Sequence, residues 1–173
     1  SDLLKRKLMR KWLEEHCAPE RTRIYLGFDW TESHRIEGAQ KRWAPWQVEF
    51  PLDEPPYETK EHWLQRSRDR GIEPPRLYEL GFPHNNCGGA CVKAGQAQWA
   101  RLLHTRPKVY AENEAEEEAT RRHLGKDVAI LRDRRGGTTK PLTLRAFRER
   151  LERDADAFDR QDWGACSCFT TDG

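Results

Sequence analysis

Two close pairs of cysteines, Cys87 with Cys91 and Cys166 with Cys168, constrain the folding of this chain more than any other feature. The first pair encloses Gly88, Gly89 and Ala90, and Ser167 alone separates the second. Thiols spaced this closely suit a metal, and the four together make one complete tetrahedral set. A shared site requires the tail to return to the loop at 87–91. The two glycines allow positive φ and let backbone N–H groups approach sulfur. The spacing is compatible with zinc, at Zn–S distances near ~2.3 Å, and equally with a [4Fe-4S] cluster. Ordinary packed cysteines are the competing reading. Disulfides within pairs this close are disfavoured by geometry. Cys17, at a helix end, reads as a small packed residue. His84 and Asn86, just before Cys87, read as residues that fix the loop by hydrogen bonds rather than as ligands.

Charge and hydropathy set the surroundings. Of 173 residues, 31 are Lys or Arg and 29 are Asp or Glu, so the net charge of +2 does not by itself describe a nucleic-acid-binding protein. The longest apolar runs, such as that around Ile24 to Phe28, fall far short of the ~20 residues that cross a bilayer. The N-terminus has no signal-like pattern, so a cytoplasmic setting is expected. Charged residues (35%) nearly equal hydrophobic ones (36%), which leaves a modest core for a chain of this length.

Periodicity predicts an amphipathic helix over 2–16, with Leu4, Leu8, Trp12 and Leu13 on one stripe and Lys5, Arg6, Lys7, Arg10 and Lys11 on or beside the other face. Pro19 ends it. A short buried strand is expected over 23–28, then a helix over 32–41 capped by Thr31, and an extended piece at 47–50. Thr59 and Thr143 are expected to cap helices at 60–70 and 144–157. Between them the pattern predicts a short helical turn at 76–80, helices at 91–104 and 108–124, a last strand at 127–132 and a turn at 134–137. A helix starting near Cys91 would favour the ligating thiolate there. Trp43 and Trp46 are the tryptophans expected to be exposed, with the others mostly in the core. About three strands are too few for a complete doubly wound sheet of ~5, so the chain reads as part of an α/β domain.

A second site is suggested after the first strand, where Glu32, Ser33 and Arg35 enter a helix. Carboxyl ends of strands in α/β sheets are where anions bind. Arg35 would contact a phosphate or sulfate, Ser33 would donate a hydrogen bond, and Glu32 would orient Arg35 or a ribose. A simple capping arrangement is the alternative. His34, His62, His104 and His123 have no paired spacing and read as surface or core residues.

The order of these motifs resembles the second half of the phosphoadenosine phosphosulfate (PAPS) reductase family, within the adenine nucleotide α-hydrolase-like, or PP-loop, superfamily. The resemblance rests on Gly27-x4-Glu32-Ser33-x-Arg35, on Arg76-Leu77-Tyr78-x2-Gly81-Phe82 and on the cysteine pair that follows. It covers most of residues 1–100, and a cysteine-bearing tail occurs in related phage and bacterial proteins. It implies a helix-rich C-terminal part of that fold, with few strands and a four-cysteine site. The reductase-like part would span 1–106, and a helical extension carrying Cys166 and Cys168 would span 107–173. It further implies an enzyme part that binds an adenine nucleotide or sulfonucleotide through Lys5, Arg6, Glu32, Ser33 and Arg35, acting in sulfur transfer or reduction. The Ser-Gly-Gly-x-x-Ser phosphate loop is not in this sequence, and an N-terminal segment or a second subunit is expected to supply it. Two other readings are ATP-dependent nucleic-acid thiolation, with the basic helix and the Arg-rich turn at 132–135 on the polymer, and a non-enzymatic zinc-stapled interaction module.

Overall fold

In the computed structural model, which describes residues 6–164, apolar residues gather into two cores rather than one. Each core belongs to its own compact unit, and the chain passes from the first unit to the second between Ile72 and Glu73. The sequence places a boundary after residue 106 instead. The helices flanking that point, α5 (Gln96–Thr105) and α6 (Pro107–Leu124), pack on each other. Together the described residues form a helix-rich α/β structure with seven α-helices and four three-residue strands. No helix among them is long and apolar enough to cross a membrane.

The first unit is built on a parallel pair, β1 (Arg23–Tyr25) and β2 (Gln47–Glu49), with Ile24 beside Val48. Both face inward, as period-two alternation requires. The crossover runs through a 3-10 turn (Trp30–Arg35) and α2 (Ile36–Trp43). Phe28, Trp43, Trp46 and Phe50 fill the core, and Leu13 joins them from α1 (Lys7–His16). Arg10 of α1 donates to the carbonyl of Ala44 at 3.0 Å, and Trp46 Nε1 donates to the carbonyl of Cys17. Cys17 packs at the edge of this core, as expected of a bystander. Helix α3 (Lys60–Asp69) is capped by Thr59, whose Oγ1 accepts from the amide of His62.

Several expectations are overturned here. Trp43 and Trp46 are buried, at 2% and 4% exposure, because α2 and β2 place both rings on the inward side. Conversely Leu8, Trp12 and Trp30 are exposed, so among the described residues of its apolar stripe α1 meets the core through Leu13 alone. Thr31 does not cap α2. Asp29 caps the preceding 3-10 turn, its Oδ1 accepting from both the amide and the hydroxyl of Thr31, and the α-helix begins only at Ile36.

In the second unit, α5 and α6 pack with α7 (Leu144–Arg153) around Trp99, Leu102, Tyr110 and Phe147, all fully buried. Trp99 and Tyr110 meet edge to face at 5.8 Å, a favoured aromatic geometry. A short helix, α4 (Arg76–Glu79), precedes the cysteine loop. The expected strand near 127–132 is β3 (Leu131–Asp133), and it pairs antiparallel with an unforeseen β4 (Lys140–Leu142). The two strand pairs are separate sheets.

One buried carboxylate braces this unit. Glu117 accepts from the amide of Ile130 at 2.8 Å through Oε1 and from the amide of Leu144 at 2.6 Å through Oε2. It thus joins α6 to the segment entering β3 and to the start of α7. The Tyr110 hydroxyl donates to the carbonyl of Leu144 at 2.7 Å. Burial, reinforced by the carboxylates of Glu114 and Glu117, pushes this phenol far above its ordinary range, so it stays a donor. Replacing Glu117 by Ala leaves two sheltered N–H groups without acceptors, and a loss of about 3 kcal/mol in denaturant-derived stability is expected. Glu117→Gln, which retains one acceptor oxygen, should lose less. A Glu117→Ala chain as stable as wild type contradicts the brace.

Asp133 is held well below the usual carboxylate range, first by its hydrogen bonds from Arg135 and then by Arg150, which approaches to 2.6 Å. Arg148 does the same for Glu114. A lowered folded-state value means that this stabilisation is complete above the unfolded pKa of about 4 and is lost as pH falls toward the folded value. Urea midpoints should therefore drop as pH falls below about 4, and Asp133→Asn should flatten that drop. An unchanged acid profile in Asp133→Asn would count against the assignment.

Candidate functional site

The loop after α4 turns in an unusual way. Cys87 (φ 52°, ψ 28°), Gly88 (φ 60°) and Gly89 (φ 87°) are successive left-handed residues. Such backbone costs a β-carbon-bearing residue roughly 1–2 kcal/mol, so Cys87 occupies it against local preference. Position 89 favours glycine because of its positive φ, and a Cβ there would press on the Phe82 ring at 3.0 Å and on Leu102 at 3.2 Å. The two glycine carbonyls are held from behind. Gly88 accepts from Arg106 Nη1 at 2.7 Å, and Gly89 accepts from Gln98 Nε2 at 2.8 Å. Cys87 is exposed, and Cys91 is half-buried against the core. No disulfide joins the described cysteines.

The sequence starts a helix at Cys91, but α5 begins at Gln96. Residues 91–94 instead form a turn, closed by a hydrogen bond from the amide of Ala94 to the carbonyl of Cys91 at 2.9 Å. The helix N-terminus therefore does not act on the thiols. It is answered by a residue of the tail, Asp162, whose carboxylate accepts from the amide of Gln96 at 3.1 Å and whose carbonyl accepts from the amide of Ala97 at 2.8 Å. Gln96 and Gln98 are both buried. Gln96 donates to the carbonyl of Arg132 at 2.7 Å and accepts from the amide of Asp159, which ties β3 and the tail to the same helix start. Beyond Asp162 the chain makes an antiparallel bridge between Gly164 and Ala94.

Sequence reasoning missed this junction. Its signals were the lack of a capping side chain at Gly95 and the turn-forming Asp-Trp-Gly at 162–164, neither of which names its partner.

Of the proposed ligands, the structure places Cys87 and Cys91 on one loop, while Cys166 and Cys168 lie outside the described residues. Among the described residues no group of three or more His, Cys, Asp or Glu is arranged to hold a metal. His84 is exposed beside the loop, and Asn86 lies in its 3-10 turn (Asn86–Gly89), its side chain outside the described set.

In the first unit Glu32, Ser33 and Arg35 share the turn after β1. Ser33 donates to the carbonyl of Trp30 at 2.8 Å and lies in hydrogen-bond contact with Asp53. Arg35 pairs with Glu32, and its guanidinium stacks 4.1 Å from the centre of the Phe28 ring. The side chain is only 11% exposed, and its Nε is a buried donor with no hydrogen-bond partner. Glu32 thus pairs with Arg35, and an incoming anion would compete with Glu32 for it. Arg6 is half-buried, and Lys5 lies outside the described residues. Comparison with protein-family models, with curated proteins and with solved structures found no match to the chain.

Proposed function

We propose that this chain is part of a PAPS reductase-like enzyme that binds an adenine nucleotide and acts in sulfur transfer or reduction. Cys87, Cys91, Cys166 and Cys168 would hold a [4Fe-4S] cluster or a zinc ion. The observation that carries this reading is the bridge between Ala94 and Gly164, which brings the chain entering the cysteine tail beside the turn that follows Cys91. The donor set fits the group, since four thiolates are the usual ligands of such a cluster and of structural zinc. The glycine cradle at 88–89, held from behind by Arg106 and Gln98, leaves Cys87 exposed. Bound there, a cluster would supply one-electron redox chemistry, and zinc would supply a structural staple. For the nucleotide, the buried Arg35 Nε–H is a donor that a phosphate or sulfate oxygen would satisfy.

Thiolation of nucleic acid is the second reading within the same superfamily. It is favoured by α1, which carries the exposed Lys7 and Lys11 together with an exposed Trp12 stacked on His16 at 4.9 Å. Cations with an exposed aromatic face suit single strands.

Anaerobic purification followed by iron, sulfide and zinc analysis tests the centre. The chain should carry iron and acid-labile sulfide in equal amounts, or one tightly held zinc, and Cys87→Ser should remove most of it. A metal-free chain that takes up neither on reconstitution contradicts the proposal. Titration with ATP and PAPS by calorimetry tests the nucleotide site, where Arg35→Ala should weaken binding at least ~tenfold, the size of a lost charge-assisted hydrogen bond. Salt-sensitive RNA or DNA binding with no nucleotide response would move the assignment to the second reading. Bound zinc with neither response would leave a stapled interaction module.

A further inference from the structure

We propose that the second unit binds a small aromatic carboxylate in the cavity between α5 and the segment that follows α7. The cavity has a volume of about 900 Å³, within the range of roughly 300 to 1,000 Å³ typical of small-molecule sites. Its walls are apolar: Ala97, Ala100 and Leu103 of α5, Leu151 of α7, and Phe158 and Trp163 beyond it. Leu103, Leu151, Phe158 and Trp163 are only half-buried, so each keeps apolar surface that a flat ring would cover. On α5, positions 97, 100, 101 and 104 recur at helical spacing and share one face, while Trp99 and Leu102 belong to the core. The two alanines of that face leave the room, and Arg101 and His104 follow them along the helix.

The walls are fixed by contacts of their own. Phe158 meets Phe147 edge to face at 6.4 Å. Asp154 and Asp159 each accept from the amide two residues on, at 3.0 and 2.9 Å, which sets the turns of this segment, and Asp162 ties its end to α5. Charge then decides the ligand. Arg101, His104, Asp156 and Arg160 are the ionisable residues that line the cavity. Asp156 and Arg160 pair with each other, which leaves Arg101 and His104 with no carboxylate opposite them among the described residues. The Arg101 guanidinium lies over Gly81, where a Cβ would approach it to 3.3 Å. A planar guanidinium presents paired N–H donors that match a carboxylate. A neutral ligand would leave these donors unused, and a cationic one would be repelled. One guanidinium balances the single charge of a carboxylate better than the double charge of a phosphate monoester. Aromatic walls with one unneutralised guanidinium therefore select a flat apolar body that carries a carboxylate at one end. None of these residues belongs to the metal or nucleotide sites proposed above.

The test is calorimetric titration of the full chain with 2-naphthoate and with its neutral counterpart, 2-naphthalenemethanol. The acid should bind at one site per chain and at least ~tenfold tighter than the alcohol, the size of a charge-assisted hydrogen bond. Arg101→Gln should bring the two affinities together, and Arg101→Lys, which keeps the charge but not the fork, should fall between. Ala100→Leu, which puts a larger side chain into the cavity, should abolish binding of both ligands. Near-ultraviolet dichroism of the Trp99 and Tyr110 pair checks that the core of the second unit persists in each variant. Arg101 is exposed, so its variants keep the test decisive even if Ala100→Leu fails to fold. A parent chain that binds no naphthoate at millimolar concentration overturns the proposal. Equal affinity for acid and alcohol does so too, as does naphthoate binding indifferent to both Arg101→Gln and Ala100→Leu. The outcomes separate from those of the preceding section. Naphthoate binding that depends on Arg101, in a chain with no response to ATP or PAPS, supports this cavity and removes the nucleotide site. A chain whose nucleotide binding depends on Arg35 but which ignores naphthoate does the reverse.

Discussion

The start of α5 is the point on which the second unit depends. A helix N-terminus has four N–H groups without intrahelical acceptors, and burying them unanswered is costly. Here Gly95 offers no side chain, and Asp162 supplies the acceptors. Because α5 carries Trp99 and Leu102, both completely buried, the same contact that closes the helix also anchors the tail to the core. Gln96 extends the junction to β3 and Gln98 extends it to the cysteine loop. Two segments distant in sequence, β3 and the tail, and the nearby cysteine loop are thereby fixed to one turn of helix.

A chain with as many charged as apolar residues builds only small cores, and this one compensates with sheltered polar contacts. Glu117 answers two amides at once, and the Tyr110 hydroxyl holds the carbonyl of Leu144; Arg106 and Arg10 add exposed contacts to carbonyls of other segments. Such contacts are worth little individually when exposed, but a buried donor or acceptor is expensive to leave unmade. They define which arrangement of short helices and three-residue strands is correct, which apolar burial alone does not. Placement of the cysteine loop follows from this. Its left-handed turn is tolerated because Arg106 and Gln98 hold the carbonyls and Phe82 and Leu102 press on Gly89.

Local signals in the sequence were read well. Thr59 and Thr143 cap the helices they were expected to cap, because that interaction lies within three residues. The long α6 ends near Leu124 as its basic last turn suggests, with Gly125 left-handed beyond it. Tertiary placement was not legible. Whether a tryptophan is buried depends on what crosses over it, so Trp43 and Trp46 proved interior while Trp12 and Trp30 proved exposed. The helix expected at Cys91 starts at Gln96 because its cap is far away in sequence and the intervening residues turn instead. At the candidate sites, the grouping of Cys87 with Cys91 and of Glu32 with Arg35 was visible from spacing. The burial of Arg35 under Phe28, and the tail's anchoring by Asp162, were not.

The central claim is that thiols of the loop and the tail form one site. X-ray absorption at the edge of the bound metal tests it most directly. The account predicts a first shell made of sulfur alone, near ~2.3 Å for zinc or for iron in a cluster, which loses sulfur when Cys166 or Cys168 is replaced by Ser. A shell containing nitrogen or oxygen in the native chain, or one indifferent to the tail cysteines, would contradict it.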